Sequence, residues 1–365
     1  MKFLKSSLLS AAAVIVANQA SAADLEVTHW WTSGGEAAAV AEFAKAFNAT
    51  EHSWIDGAIA GSGGTARPII ISRIIGGDPM HATQLNHGRQ AEELVEAGLM
   101  LDLSDIAAEG GWADVVNPSR LLDSCTLDGK VYCVPVNIHS PQWLWLSHDA
   151  FAKAGLDVPS DWFEFVAAAP ALRDAGVVPL AMGQQAWQTD LAFGAIQVAV
   201  GGTDLYLDVL TNKNADAAAS ADMTKVFEAY ADARLLSVGS NVNDWNQATN
   251  LVITGQAGGQ IHGDWAQGEF QVANQVAGED YSCLPGLGVN EIIATGGDAF
   301  YFPKQDDPAI EAAQKELAKL MISKEVQVAF NLKKGSLPIR GDVDLSAAND
   351  CMKKGLAILA AGNVL

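Results

Sequence analysis

From Leu25 to Ala97 the sequence switches repeatedly between two hydrophobic periods, and that switching limits what the chain can fold into. Leu25-Glu26-Val27-Thr28-His29-Trp30 alternates every second residue, as a half-buried strand does. Glu36 then opens a segment in which Val40, Phe43, Ala44 and Phe47 recur at helical spacing. Residues 55–60 read as a second strand, and Gly61-Ser62-Gly63-Gly64 turns into a helix over 66–75. Gly76-Gly77 ends that helix and Asp78-Pro79 starts a new segment. Residues 82–85 form a short buried strand, followed by a helix over 89–97. Strand, helix, strand, helix, strand in this order implies a parallel sheet with helical crossovers, an α/β fold.

Further on, extended runs at 130–136 and 142–147 flank Asn137-Ile138-His139-Ser140-Pro141. Helices are expected over 162–169, 190–200, 221–233, 246–254 and 310–322, and strands over 259–262 and 297–303. No internal repeat or low-complexity linker interrupts them. The start of the chain reads as an export signal: Lys2 and Lys5, a short apolar core over 8–16, then the cleavage triplet Ala20-Ser21-Ala22. Cleavage before Ala23 leaves 343 residues, more than one core usually supports, so two lobes are expected. It also removes two lysines and no acid, taking the formal charge from −21 to −23. So acidic a chain is a poor partner for nucleic acid or an anionic membrane surface, and no later apolar run is long enough to insert into a bilayer.

Four cysteines in an exported chain suggest two disulfides. Asp128-Gly129 is a hairpin-turn signal. With residues 128–130 as a three-residue loop, Leu127 faces Val131 and Cys125 lands opposite Cys133. That pairs Cys125 with Cys133 and leaves Cys283 with Cys351. The seven histidines show no metal-ligand spacing, so no metal site and no cofactor are expected. Neither a nucleophile elbow nor a phosphate-binding loop occurs, and Gly61-Ser62-Gly63-Gly64 reads as a plain turn.

What the sequence does supply is flat aromatic surface beside directed polar groups, the two needs of a carbohydrate site. Trp30 and Trp31 would face opposite sides of a regular strand, and Thr32-Ser33-Gly34-Gly35 ends the strand there. One indole in the core and one in a cleft is an equal alternative to both meeting a ligand. Glu36 suits the first turn of a helix, either as a ligand for sugar hydroxyls or as a cap. Asp264-Trp265 follows a strand ending at His262 and offers a second ring, with an interior role as its alternative.

In order, Trp30-Trp31-Thr32-Ser33-Gly34-Gly35-Glu36, Gly76 to Pro79, Pro135-Val136-Asn137-Ile138-His139, Gly263 to Phe270 and Lys334-Gly335-Ser336-Leu337-Pro338-Ile339-Arg340 resemble the solute-binding proteins of carbohydrate ABC transporters, the glucose-binding branch above all. The resemblance spans the whole mature chain. It implies a two-lobe periplasmic binding protein fold (type II), hinge-connected, with the ligand in a cleft between the lobes. Crossings would lie near His139, Thr295 and Ser336, giving lobes of 23–138 plus 296–335 and 139–295 plus 336–365. It implies a periplasmic, monomeric, non-enzymatic receptor that delivers a glucose-like monosaccharide to an inner-membrane ABC permease with its ATPase. Mannose, galactose, xylose or a disaccharide are alternatives. Carried over by position, Trp30, Trp31, Glu36, Asp264, Trp265, Asp298 and Lys334 become ligand-binding candidates. Two departures matter: His87 stands where the glucose-binding relatives have lysine, and no histidine follows His262. His139 is expected at the cleft or in a hinge role, and Asn243 and Trp245 on a loop facing the same region. The rival class is a secreted glycosidase, for which Glu36, Asp264 and Asp298 would have to supply a carboxylate pair.

Overall fold

A computed structural model describes residues 22–294 and 296–365. The expected export segment up to Ser21, and Thr295 at the expected second crossing, lie outside the described residues. Strands β1 (Asp24–His29), β2 (Ser53–Ala58), β3 (Ala82–Asn86), β4 (Thr126–Leu127), β5 (Lys130–Val131), β6 (Cys133–Pro135), β7 (Trp143–Ser147), β8 (Val178–Ala181), β9 (Ala257–His262), β10 (Tyr281–Pro285) and β11 (Asp298–Tyr301) form two mixed sheets and a hairpin. The first sheet runs β2-β1-β3-β11-β6 and the second β10-β7-β9-β8. As the alternating periods require, β1 is parallel to both β2 and β3. The late strand β11 returns antiparallel between β3 and β6, so a segment more than 200 residues downstream completes the first sheet. This is the two-lobe α/β architecture.

The helix Gly34–Phe47 begins where Ser33 caps it by accepting from the Glu36 backbone N–H. It buries Val40, Phe43 and Phe47, with Phe43 stacked on Phe330 at 4.3 Å between ring centroids. Burying each such side chain stabilises the fold by about 1.5–3 kcal/mol. Its first turn meets the helix Ala266–Val272 of the second lobe at unusually close range. A Cβ on Gly35 would sit 2.5 Å from the Gly268 carbonyl carbon, so only glycine fits there. The Gly35 N–H donates across this contact to Glu269 Oε1 at 2.7 Å.

Between the sheets the crossing segments run side by side. Ile138 and Leu337 exchange backbone hydrogen bonds of 2.7 and 3.1 Å, and the His139 N–H donates to the Gly296 carbonyl at 2.7 Å. After crossing, Leu337–Arg340 stays bonded to the first lobe: the Asn117 N–H donates to the Ile339 carbonyl, and the Ile339 N–H to Gln327 Oε1. Only then does the chain reach the helix Asp350–Ala360 beside β10, where Cys351 is bonded to Cys283.

Three local expectations need correction. The hairpin turn holds two residues, not three: Thr126 faces Val131 and Leu127 faces Lys130. Asp128 and Gly129 both take positive φ, the conformation of a tight I′ turn. The Cys125–Cys133 bond forms all the same, because the chain leaves β5 at Tyr132, whose N–H donates to the Cys125 carbonyl. The expected helix over 190–200 starts earlier, as Ala186–Ile196, and widens into a π-turn at Gln197–Gly201. There Asn290 Nδ2 donates to the carbonyls of Val198 and Ala199, a side chain intruding on the helical ladder. The helix after Gly61 starts at Ser62, so the glycine-rich turn is its first turn.

Because Cys283–Cys351 closes a separation of 68 residues and ties the last helix to β10, replacing both cysteines by alanine is expected to cost about 2–5 kcal/mol. A denaturant melt of the double variant checks this; unchanged stability would show that packing alone holds the helix.

Candidate functional site

The sheets hold a cavity of about 940 Å³ between them, which Trp30, Trp31, Glu36, His139, Trp265, Asp298 and Lys334 all help to line. All but His139, which lies on the segment between β6 and β7, sit at or next to the end of an element. Trp30 and Trp31 follow β1, Glu36 opens its helix, Trp265 follows β9, Asp298 begins β11, and Lys334 closes the helix Lys324–Lys334 at Gly335. Functional side chains collect at such strand ends because the loops there are free of the ladder that fixes the sheet.

The floor is a charged cluster. His139 lies between two carboxylates, Nδ1 at 2.8 Å from Asp264 Oδ1 and Nε2 at 2.6 Å from Asp298 Oδ2. With both carboxylates ionised they only accept, so each ring nitrogen donates and the imidazole carries a positive charge. Burial alone would lower its pKa, but the Asp298 and Asp264 charges outweigh that and raise it to about 9. Burial likewise acts against ionised Asp298, yet His139, Lys334 and an Asn137 hydrogen bond hold it well below the usual carboxylate range. Asp264, with burial as its largest influence, is raised from the ordinary carboxylate value, against a downward pull from His139. Both its oxygens nevertheless face donors, His139 and the Ser140 N–H at 2.9 Å.

Beside this cluster stands a second buried pair. Lys334, only 1% exposed, donates from Nζ to Glu36 Oε1 at 2.9 Å. Burial raises the Glu36 pKa and the Lys334 charge partly offsets the rise. Lys334 Nζ also lies 5.4 Å from the Trp31 ring centre and 6.0 Å from that of Trp265. The ammonium therefore stands between one indole from each lobe, where cation–π attraction adds to the ion pair.

The walls are aromatic. Trp31 is buried, its ring against Phe300 and Phe330, while Trp30 is half-exposed with the Arg67 guanidinium 5.9 Å above its ring. Both indoles line the cavity, but Trp31 is packed into the core behind it while Trp30 stays partly exposed. Opposite them, the Trp265 indole N–H donates to His262 Nε2 at 2.8 Å, and His262 stacks on Trp245 at 5.2 Å. Burial, and after it the Lys334 charge, hold His262 down at about 3, so the ring is neutral and can accept.

Not every expected residue reaches the cavity. Asn86 lines it, and His87, the next residue, does not. The His87 Nε2 is sealed from solvent without a hydrogen-bond partner among the described residues. Burial lowers its pKa, against a weaker upward pull from Asp298. Asp264 lies beneath the floor, spent on His139 and Ser140. Trp245 lines the cavity but Asn243 does not: its amide donates to Asp244 Oδ1 and its carbonyl accepts from Gln188. Conversely, Thr65, Arg67, Gln185, Trp187 and Asp244 line the cavity unforeseen. A helix starting at Ala186 would have placed Trp187 on its first turn, facing the cleft.

A model of the bacterial extracellular solute-binding proteins matches residues 31–328. The chain belongs to that family. A probable sugar-binding periplasmic protein of Brucella melitensis is 35% identical over 351 residues, covering 95% of this chain and 82% of the relative. Two solved structures share the fold: a chitin oligosaccharide binding protein (TM-score 0.75, 19% identity, 94% of this chain and 88% of that one) and the solute receptor AcbH, described as preferring β-D-galactopyranose (TM-score 0.72, 21% identity, 94% and 87%). The chain is periplasmic like its relatives, and no described helix is long and apolar enough to cross a membrane.

Removing Lys334 strands a buried carboxylate. Lys334→Met is expected to cost about 3–5 kcal/mol at pH 8. A carboxyl whose folded pKa is raised contributes stability present at acid pH and lost as pH rises through that pKa. The deficit should therefore shrink toward pH 5 as Glu36 takes up a proton. Melts at both pH values check it, and an equal loss at both would show that Glu36 is not the group left unpaired.

Proposed function

We propose that the chain is the sugar receptor of an ABC importer, gripping a glucose-like pyranose between its lobes and presenting it to an inner-membrane permease with its ATPase. The carrying observation is one cavity lined by Trp30, Trp31 and Trp265 together with the Glu36–Lys334 pair and Asp298. A pyranose has apolar faces and a rim of hydroxyls; rings cover the faces, and charged groups make hydrogen bonds roughly twice as strong as neutral ones. The sugar-binding names of the relatives support the ligand class. Glucose itself rests on the sequence resemblance, with mannose, galactose, xylose or a disaccharide as the alternatives.

In this reading the lobes are 23–138 plus 296–335 and 139–295 plus 336–365, with Leu337–Arg340 paired to the first. Sugar meets one lobe and closure adds contacts from the other. The ligand shifts the open–closed balance only by its differential affinity for the two forms. Hydrolysis fits poorly: Glu36 is bonded to Lys334, and Asp298 to His139, Gln84 and Asn137, so neither is free to act as acid or nucleophile.

Titration with D-glucose, D-galactose, D-mannose and D-xylose should change tryptophan fluorescence saturably for at least one of them and leave the sugar chemically intact. Trp265→Ala should weaken that binding by about 1–3 kcal/mol, the worth of burying a large apolar side chain. Unaltered affinity in a folded Trp265→Ala protein would remove that indole from the site, and release of new reducing ends from an oligosaccharide would point to a hydrolase.

A further inference from the structure

His262 ends β9 and is only 1% exposed, so it does not line the cavity itself. It stands directly behind the aromatic wall that does. Its ring centre lies 5.0 Å from that of Trp265, 5.2 Å from Trp245 and 5.4 Å from Trp187, and all three indoles line the cavity. The three contacts differ in kind. Trp245 stacks on the imidazole at 16°, Trp187 is tilted at 54°, and Trp265 meets it edge-on at 79°.

The Trp265 contact is the polar one, its indole N–H donating to His262 Nε2 at 2.8 Å. That nitrogen accepts only while the imidazole is neutral, because an imidazolium carries a proton on each nitrogen. Burial and the Lys334 charge both oppose protonation. A phenylalanine in this place would keep a ring against Trp245 and leave the Trp265 N–H without its acceptor.

A second device fixes the same ring. A Cβ on Gly263 would collide with Cζ3, Cη2 and Cε3 of Trp265, so the indole folds back over the glycine through space that another residue would fill. The turn beneath is tied down as well. The Asp264 N–H donates to the Ser140 carbonyl at 3.0 Å, and the Ala266 N–H to the Gly263 carbonyl at 3.1 Å. These contacts are all internal to the protein, so the indole is oriented before any sugar reaches it. A surface fixed in advance loses little entropy on binding.

Resting on the sugar-receptor reading above, we propose that His262 is a positioning residue for sugar binding. It holds Trp265 by its indole N–H in the orientation on which the sugar face stacks, and Gly263 clears the space that orientation needs. His262 touches no sugar and acts through the ring in front of it.

Isothermal titration of the intact protein with D-glucose, D-galactose, D-mannose and D-xylose identifies the tightest ligand of the four. His262→Phe, which keeps a ring and removes the acceptor, should weaken its binding about ten-fold or more, as loss of one acceptor for a part-buried donor implies. His262→Gln, which offers an oxygen instead, should recover most of that loss. Gly263→Ala should weaken binding with His262 intact. In sugar-free ¹⁵N-labelled protein, the Trp265 indole N–H, assigned with a Trp265→Phe variant, should exchange slowly with water. Exchange should become fast in His262→Phe and stay slow in His262→Gln, while the signals of the core residues Trp112 and Trp162 show that both variants are folded. Unchanged affinity in His262→Phe or Gly263→Ala, equal losses in His262→Phe and His262→Gln, or free exchange of the Trp265 N–H before sugar is added overturns the positioning role and leaves the receptor reading intact. No saturable binding of any of the four sugars by the unaltered protein overturns both.

Discussion

One imidazole ring bridges the two sheets of this molecule. His139 sits on a crossing segment, and its nitrogens reach Asp264, just past β9 of the second sheet, and Asp298, the first residue of β11 in the first. Charges taken out of water cost several kcal/mol each, so such a cluster is tolerated only when every member is satisfied. Here the satisfaction is thorough: Asp298 also accepts from Gln84 and Asn137, and Asp264 from the Ser140 backbone. A buried ion cluster of this kind contributes little net stability. It contributes geometry, because each bond is short and directional and the partners sit at strand ends of different sheets.

The cleft follows from that geometry. With the crossing strands fixed beside one another, the ends of β1, β9 and β11 open into the same space, and their aromatic and charged residues converge there. The Gly35–Gly268 contact brings the two helices behind the cleft together at backbone range, which keeps the lobes close on that side. Lys334 links both features, since it pairs with Glu36 of the first lobe while standing near Trp265 of the second.

Much of this was legible in the residues. Period-two and period-3.6 patterns located β1 to β3 and their helices, and the turn residues Gly76-Gly77 and Asp128-Gly129 marked real chain reversals. Both disulfides follow from cysteine positions. The failures have a common physical cause: they depend on where side chains meet in three dimensions. The register of the 126–131 hairpin hinges on one residue more or less in a turn. Trp187 looks ordinary until a helix starting at Ala186 turns it toward Trp265. His87 and Asn86 are equally plausible neighbours of a ligand in the sequence, and only the folded chain, with β3 ending at Asn86, assigns the cleft to Asn86. The bridging role of His139 joins residues 125 and 159 positions away, which no local pattern can reveal.

The protonation of His139 is the most direct test of this account. In ¹⁵N-labelled protein, long-range proton–nitrogen correlation spectra report both ring nitrogens of each histidine, and a His139→Gln variant assigns the signal. A bridging cation predicts two protonated nitrogens at pH 7 and a titration midpoint near 9. A single bare ring nitrogen at pH 7, with a midpoint below neutrality, would contradict it and leave the lobes without the clasp on which the cleft depends.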